Sequence, residues 1–370
     1  MYPVAERMLG KAAGTLDWAV LSALKLSSSR AGSPPGAPAT SARDHALRLL
    51  DDACRIYARD DAELFPEPRA LAASSSTRAF AIARPFNGPA VLDLRFASTV
   101  QALSPRAAAS DTAENATAHV RLFRRPGTSG APRPMAVLVH GYNSGHYLLE
   151  QRVWPLAWLD RIGLDVALFV LPHHGLRAKA TTRLPSWPSR DPHVTLEGFR
   201  RAVSDLRALV RHFRAEGVPH VGLFGMSLGA YTASLTATLE PLDFLVPVTP
   251  LASLVEFARE HGQFGPTAED PELCARFESA LACVSPLARK SRVARGCAVV
   301  VAAEEDRITP LPHAERLARH FGAELAVYPG SHLIHVGIGH GYRAARAMLE
   351  REAILRTSEG RKVPPRAFAA

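Results

Sequence analysis

Val221-Gly222-Leu223-Phe224-Gly225-Met226-Ser227-Leu228-Gly229-Ala230-Tyr231-Thr232-Ala233-Ser234-Leu235 is the stretch that decides the fold. An apolar run ends at Phe224 and a helix-forming run begins at Ala230, so the G-x-S-x-G pentapeptide between them joins a strand to a helix. A turn that sharp lifts the Ser227 hydroxyl above the end of the strand. The flanking glycines matter sterically, since a side chain at 225 or 229 is expected to collide with the neighbouring strand or helix.

Working outward, the chain reads as alternating strands and helices. Residues 91–96 and 118–123 alternate apolar and polar with period two, as half-exposed strands do. Residues 135–139, 166–171, 221–224, 244–248, 298–301 and 325–328 are continuous apolar runs, the pattern of strands covered on both faces. Pro247 weakens the fourth of these runs, since it removes a ladder donor. Between them, Leu196, Phe199, Val203, Leu206, Val210 and Phe213 line one face of a helix predicted over 195–216, with Thr195 as N-cap and Gly217 just past its end. Strands alternating with helices imply right-handed crossovers and a mostly parallel central sheet flanked by helices: an α/β fold.

The remainder of the 370 residues divides by composition. Residues 1–87 read as a helical and linker extension: an amphipathic helix over 4–26, a Ser/Pro/Gly/Ala tract over 27–43, then helical spacing from Asp44 to Arg59. Residues 88–356 form the α/β domain and 357–370 a tail. The 4–26 helix is expected to pack on the domain through Met8, Leu9, Leu16, Trp18, Val20, Leu21 and Leu24. Peripheral membrane contact through the same face is the alternative, although its polar side is poor in Lys and Arg.

Net charge is +9, but only Lys11, Lys25, Lys179, Lys290 and Lys362 are lysines among 44 basic residues. The arginines are scattered, many singly (Arg7, Arg55, Arg69, Arg95, Arg152, Arg214), instead of forming a stripe with interleaved aromatics, so no nucleic-acid partner is expected. Cys54, Cys274, Cys283 and Cys297 have no C-x-x-C spacing, which argues against a zinc site or redox pair; a Cys274–Cys283 bridge is conceivable only for an exported chain. The first residues do not read as a secretory signal and no run is long enough to span a bilayer, so a cytoplasmic location is expected. Asn115-Ala116-Thr117 fits a glycosylation triplet that means nothing without secretion.

In a parallel sheet the chemistry gathers at the carboxyl ends of the strands. If Ser227 is a nucleophile, an acid and then a histidine should follow later strands, in that chain order. Glu304-Glu305-Asp306-Arg307-Ile308-Thr309-Pro310 follows the 298–301 run, and Pro329-Gly330-Ser331-His332 follows the 325–328 run. With His140-Gly141 after the 135–139 run, these pieces resemble the α/β-hydrolase superfamily, over residues from about 90 to 350.

The resemblance implies roles. Ser227 would be the nucleophile, His332 its general base and Asp306 the group that orients the imidazole. Glu304 and Glu305 are alternatives to Asp306, and His335 and His340 to His332. The oxyanion hole would use the backbone N–H groups of Leu228 and Tyr142. Ester cleavage through an acyl-enzyme is the expected activity, with a small-molecule or lipid ester as substrate and no cofactor. A thioesterase, acyltransferase or serine peptidase would use the same machinery, and a non-catalytic binding protein is the alternative of another class. Segments 172–194 and 255–296 are candidate lids. His173 and His174 lack the partners of a metal site. Arg177 or Arg190 would either grip an anionic substrate group or form structural ion pairs.

Overall fold

A computed structural model describes residues 5–17, 39–71, 89–125, 131–182, 184–262 and 270–355. Eight strands make one sheet: β1 (Ala90–Ala97), β2 (Thr117–Arg124), β3 (Met135–Val139), β4 (Asp165–Phe169), β5 (Val221–Met226), β6 (Leu245–Val248), β7 (Val299–Ala303) and β8 (Glu324–Tyr328). Their order is β1-β2-β4-β3-β5-β6-β7-β8. β1 and β2 run antiparallel to their neighbours, and every pairing from β4 through β8 is parallel.

The continuous apolar runs are buried on both sides because alternate residues serve two cores. Val137, Val139, Ala167, Phe169 and Leu223 pack with helices Pro192–Ala215 and Leu228–Leu239. Ala136, Leu138, Val166, Leu168 and Phe224 point the other way, against helices Leu156–Ile162 and Gly339–Arg351. The six apolar residues predicted on the face of helix Pro192–Ala215 are all fully buried, a contribution of about 1.5–3 kcal/mol each.

Several boundaries differ from expectation. Helix Pro192–Ala215 is capped by Asp191, whose carboxylate accepts from His193 N–H, with Pro192 in its first turn. Thr195 lies inside the helix, where its hydroxyl bonds the Ser189 carbonyl at 2.7 Å. Gly217 does close the helix, at φ 79°. Pro247 stays within β6. Leu245 and Thr249 donate to Cys297 and Val301, so the donor missing at Pro247 faces β7, and Val248↔Val301 is the one register pair between these strands.

The extension is not a separate layer. Helix Ala39–Tyr57 begins inside the tract read as linker, and its Leu50, Ala53 and Tyr57 join the larger core. Buried Arg200 and Arg207 donate to the carbonyls of Leu64 (2.8 Å) and Phe65 (2.7 Å), which ties the segment down. Helix Pro271–Leu281, within the 255–296 segment, lies beside it through Arg43–Asp270 and Arg276–Asp51 pairs. Residues 18–38 and the 357–370 tail lie outside the described residues.

The helix over 5–17 corrects the amphipathic reading. Gly10, Ala13, Gly14 and Asp17 form its buried face, whereas Met8, Leu9 and Leu16 point outward. Bulk on a helix marks its docking face only where the partner surface leaves room for bulk, and here it does not: a Cβ at Gly10 would stand 1.6 Å from the Pro329 carbonyl oxygen. No helix among the described residues is long and apolar enough to cross a membrane.

Candidate active site

Ser227 sits between β5 and helix Leu228–Leu239 at φ 53°, ψ −115°, a backbone region that L-residues avoid. The strained residue is held from both sides. Its N–H donates to the Val248 carbonyl at 3.0 Å, and its own carbonyl accepts from Tyr231 N–H at 3.1 Å. The glycines make the turn compact: a Cβ at Gly225 would meet the Gly229 carbonyl oxygen at 2.3 Å, and one at Gly229 the Val139 carbonyl oxygen at 2.0 Å.

The loops after β7 and β8 bring Asp306 and His332 to this serine. His332 Nδ1 lies 2.8 Å from Asp306 Oδ2, and its Nε2 lies 3.0 Å from Ser227 Oγ. A carboxylate only accepts, so Nδ1 carries the proton and the Nε2 lone pair faces the hydroxyl. Asp306 is itself fixed: Oδ1 accepts from Ile308 N–H (2.8 Å) and Thr309 N–H (2.7 Å), while the Thr309 hydroxyl lies 2.9 Å from Oδ2. Burial disfavours a charged His332, yet the charge and hydrogen bond of Asp306, with the charge of Asp17, outweigh it and raise the imidazole pKa above its ordinary value.

The alternatives point elsewhere. Glu304 is exposed, and Glu305 pairs with Arg307 at 3.0 Å. His335 Nε2 donates to the His332 carbonyl at 2.9 Å, and His340 lies beside Glu6 and Arg343.

The loop after β3 abuts the serine, since a Cβ on Gly141 would stand 3.5 Å from Ser227 Cβ. Buried His140 braces it. Its Nε2 accepts from Leu171 N–H at 3.0 Å, so Nδ1 carries the proton and donates to the Gly141 carbonyl at 2.7 Å. Burial lowers the His140 pKa, which keeps this neutral form. A trans peptide directs its C=O and N–H to opposite sides, so the Tyr142 N–H faces away from His140. Leu228, as the first residue of its helix, has an N–H with no acceptor in that helix. Glu150 holds the rest of the loop by accepting from Ser144 Oγ, Gly145 N–H (2.9 Å) and Trp154 Nε1–H (3.0 Å).

Other singled-out residues have structural partners. Arg177 is wholly buried against Asp205 at 2.8 Å, which assigns it to an ion pair. His173 and His174 bond Asn115 and the Pro172 carbonyl, and Asn115 is itself buried, out of reach of any glycan. Arg190 lines a cavity of about 290 Å³ with His45, Arg106, Asp191 and Phe277, between the extension and helix Pro192–Ala215. None of the four cysteines is in a disulfide among the described residues. Sequence reasoning missed Glu150, the Thr309 hydroxyl and Asp17. The D-x-x-T spacing signals Thr309, whereas nothing local signals Asp17, which meets its partners across 290 to 316 residues of chain.

No protein-family model matches the sequence. The chain is 32% identical over 243 residues to an uncharacterized protein present in two strains of Mycobacterium tuberculosis. The match takes in 63% of this chain and 57% of that protein, so the chain spans little more than half the length of the curated relatives it matches. Among solved structures, acetyl xylan esterase 1 from a Thermoanaerobacterium species aligns with TM-score 0.55 at 16% identity, over 81% of this chain and 93% of that one. An acetyl xylan esterase from a Paenibacillus species aligns with TM-score 0.54 at 16% identity, over 84% and 94% of the two chains. Likeness at that identity is likeness of fold: the mostly parallel eight-stranded sheet flanked by helices is an α/β-hydrolase fold.

Proposed function

We propose that the protein is a serine hydrolase that cleaves an ester through an acyl-enzyme on Ser227. The observation that supports this most is the unbroken line of hydrogen bonds from Asp306 through His332 to a serine held at positive φ. His332 Nε2 takes the hydroxyl proton as Oγ attacks the ester carbonyl, and Asp306 stabilises the imidazolium. The oxyanion is met by the N–H groups of Leu228 and Tyr142. The imidazolium then protonates the departing alcohol, and a water molecule repeats the sequence to release the acid. No step calls for a cofactor.

Exposed apolar side chains stand on the loops and short helices that follow β3, β4 and β8: Tyr142, Leu148, Leu149, Leu176, Leu333 and Ile334. They favour an apolar acyl or alcohol group over a charged one. Met8, Leu9 and Leu16 also face outward, which supports peripheral membrane contact through residues 4–26 as part of the same proposal; residues 18–26 lie outside the described ones. Vesicle sedimentation tests that part, and a chain that stays in the supernatant with anionic vesicles rejects it.

Fluorophosphonate labelling of wild type and Ser227→Ala, paired with p-nitrophenyl esters from acetyl upward, tests the reaction. Wild type is expected to label, and Ser227→Ala to lose both labelling and turnover. Wild type that does not label would favour a binding protein, and labelling that persists in the variant would move the nucleophile elsewhere. Thioesters, an acceptor alcohol and peptides in the same assay separate the related reactions.

A further inference from the structure

Asp17 is a wholly buried carboxylate on the helix over 5–17, and its donors come from the loops that carry Asp306 and His332. Its Oδ1 accepts from Ser331 Oγ (3.0 Å) and Leu333 N–H (3.1 Å), and its Oδ2 from His332 N–H (2.8 Å) and, more loosely, Arg307 N–H (3.4 Å). No arginine or lysine side chain pairs with it among the described residues. The helix reaches so close because its docking face is small: beyond the contact of Gly10 with Pro329, a Cβ at Gly14 would stand 3.0 Å from the Glu305 carbonyl oxygen. Of the described side chains on this helix, Ala13 and Asp17 are the buried ones that carry a Cβ. Little apolar area of its described residues docks, so among them the carboxylate is the main attachment.

We infer that Asp17 is a positioning residue for the proposed reaction: through the backbone at 331–333 it sets the His332 imidazole against Ser227, and its charge favours the imidazolium that forms when Ser227 is deprotonated. The inference rests on the Ser227 reading. A misplacement of about 1 Å in a reacting group costs on the order of a hundredfold in rate, so holding this loop is worth much of the activity. The charged or titratable groups near His332 are Asp306 at Nδ1, Asp17 behind the backbone, His335 at its carbonyl and Tyr328 beneath Ser331, with Glu305 and Arg307 paired at the outer edge.

The test uses the full chain with Asp17→Asn, Asp17→Glu and Gly10→Val, on the ester that wild type turns over best. Asp17→Asn is expected to lower kcat/KM toward about a hundredfold and to move the acid limb of its pH profile to lower pH, because an anion that favours the charged imidazole is gone. Asp17→Glu is expected to keep the limb at its wild-type position. A structural defect alone would slow turnover without moving the limb. Gly10→Val pushes the helix off and should show the same loss of rate, with the core intact by its cooperative thermal transition, which keeps the inference testable if Asp17→Asn does not fold. Wild-type rates and an unmoved limb in Asp17→Asn, or wild-type rates in Gly10→Val, overturn the inference while leaving Ser227 in place if wild type labels with fluorophosphonate. Wild type that fails to label overturns the reading underneath.

Discussion

The imidazole of His332 has to be neutral to accept a proton, so its surroundings fix where the proposed reaction begins to work as pH rises. Burial alone would depress its pKa, but Asp306 and Asp17 overcome that and raise it. The acid limb of kcat/KM is therefore expected above about 6.5, the ordinary imidazole value. A limb well below that value would show that the carboxylates do not act as the geometry implies. The choice among three adjacent acids gives a sharper test. Asp306→Asn removes the acceptor that fixes the Nδ1 proton and should reduce kcat by about four orders of magnitude, whereas Glu305→Gln should leave it near wild type, since Glu305 pairs with Arg307.

Among the elements, β5 and its helix form a tight junction, because Gly225 and Gly229 let three backbones meet where a methyl group would collide. β6 is the weak seam. Its pairing toward β7 is interrupted at Pro247, whose missing N–H faces that neighbour between the donors of Leu245 and Thr249. Pro247→Val restores the donor with a β-branched residue suited to a buried strand and should raise stability by about 1 kcal/mol. Denaturant melts check this, and an unchanged or lower midpoint would mean that β7 offers no carbonyl at that level.

Across the whole molecule, histidines buried or half-buried in their neutral form tie stability to pH. Burial pushes His119 and His173 down to about 4 and lowers His140, His174 and His335 as well. The unfolded chain takes up these protons near pH 6.5 while the folded chain resists them, so the unfolded state binds more protons below that pH. Stability is expected to fall as pH drops from about 6.5 toward about 4. His332 runs the other way: its raised pKa adds stability below about 6.5 that is lost as pH rises through its folded value, one group against five. Thermal midpoints between pH 7 and 4 measure the balance, and a flat profile would count against neutral burial.

Much of the scaffold was legible because it is local. Continuous apolar runs, a period-3.6 helix face and a G-x-S-x-G turn are written in neighbouring residues, and so the eight strands, their α/β class and the order Ser227, Asp306, His332 could be read from the chain alone. Boundaries were read less well, since Asp191 and Thr195 are both good caps and only the path of the loop at 184–191 chooses between them. Tertiary structure decided which acid faces Nδ1, since adjacent carboxylates differ only in direction, and that Arg177 serves an internal ion pair. It also decided which side of the first helix is buried. There the apolar pattern pointed to Met8, Leu9 and Leu16, but the docking surface is a pair of loop backbones that admit only glycine, alanine and a carboxylate aimed at their N–H groups. A pattern of side chains records the demand for burial; the shape and donors of the surface that meets it exist only once the chain has folded.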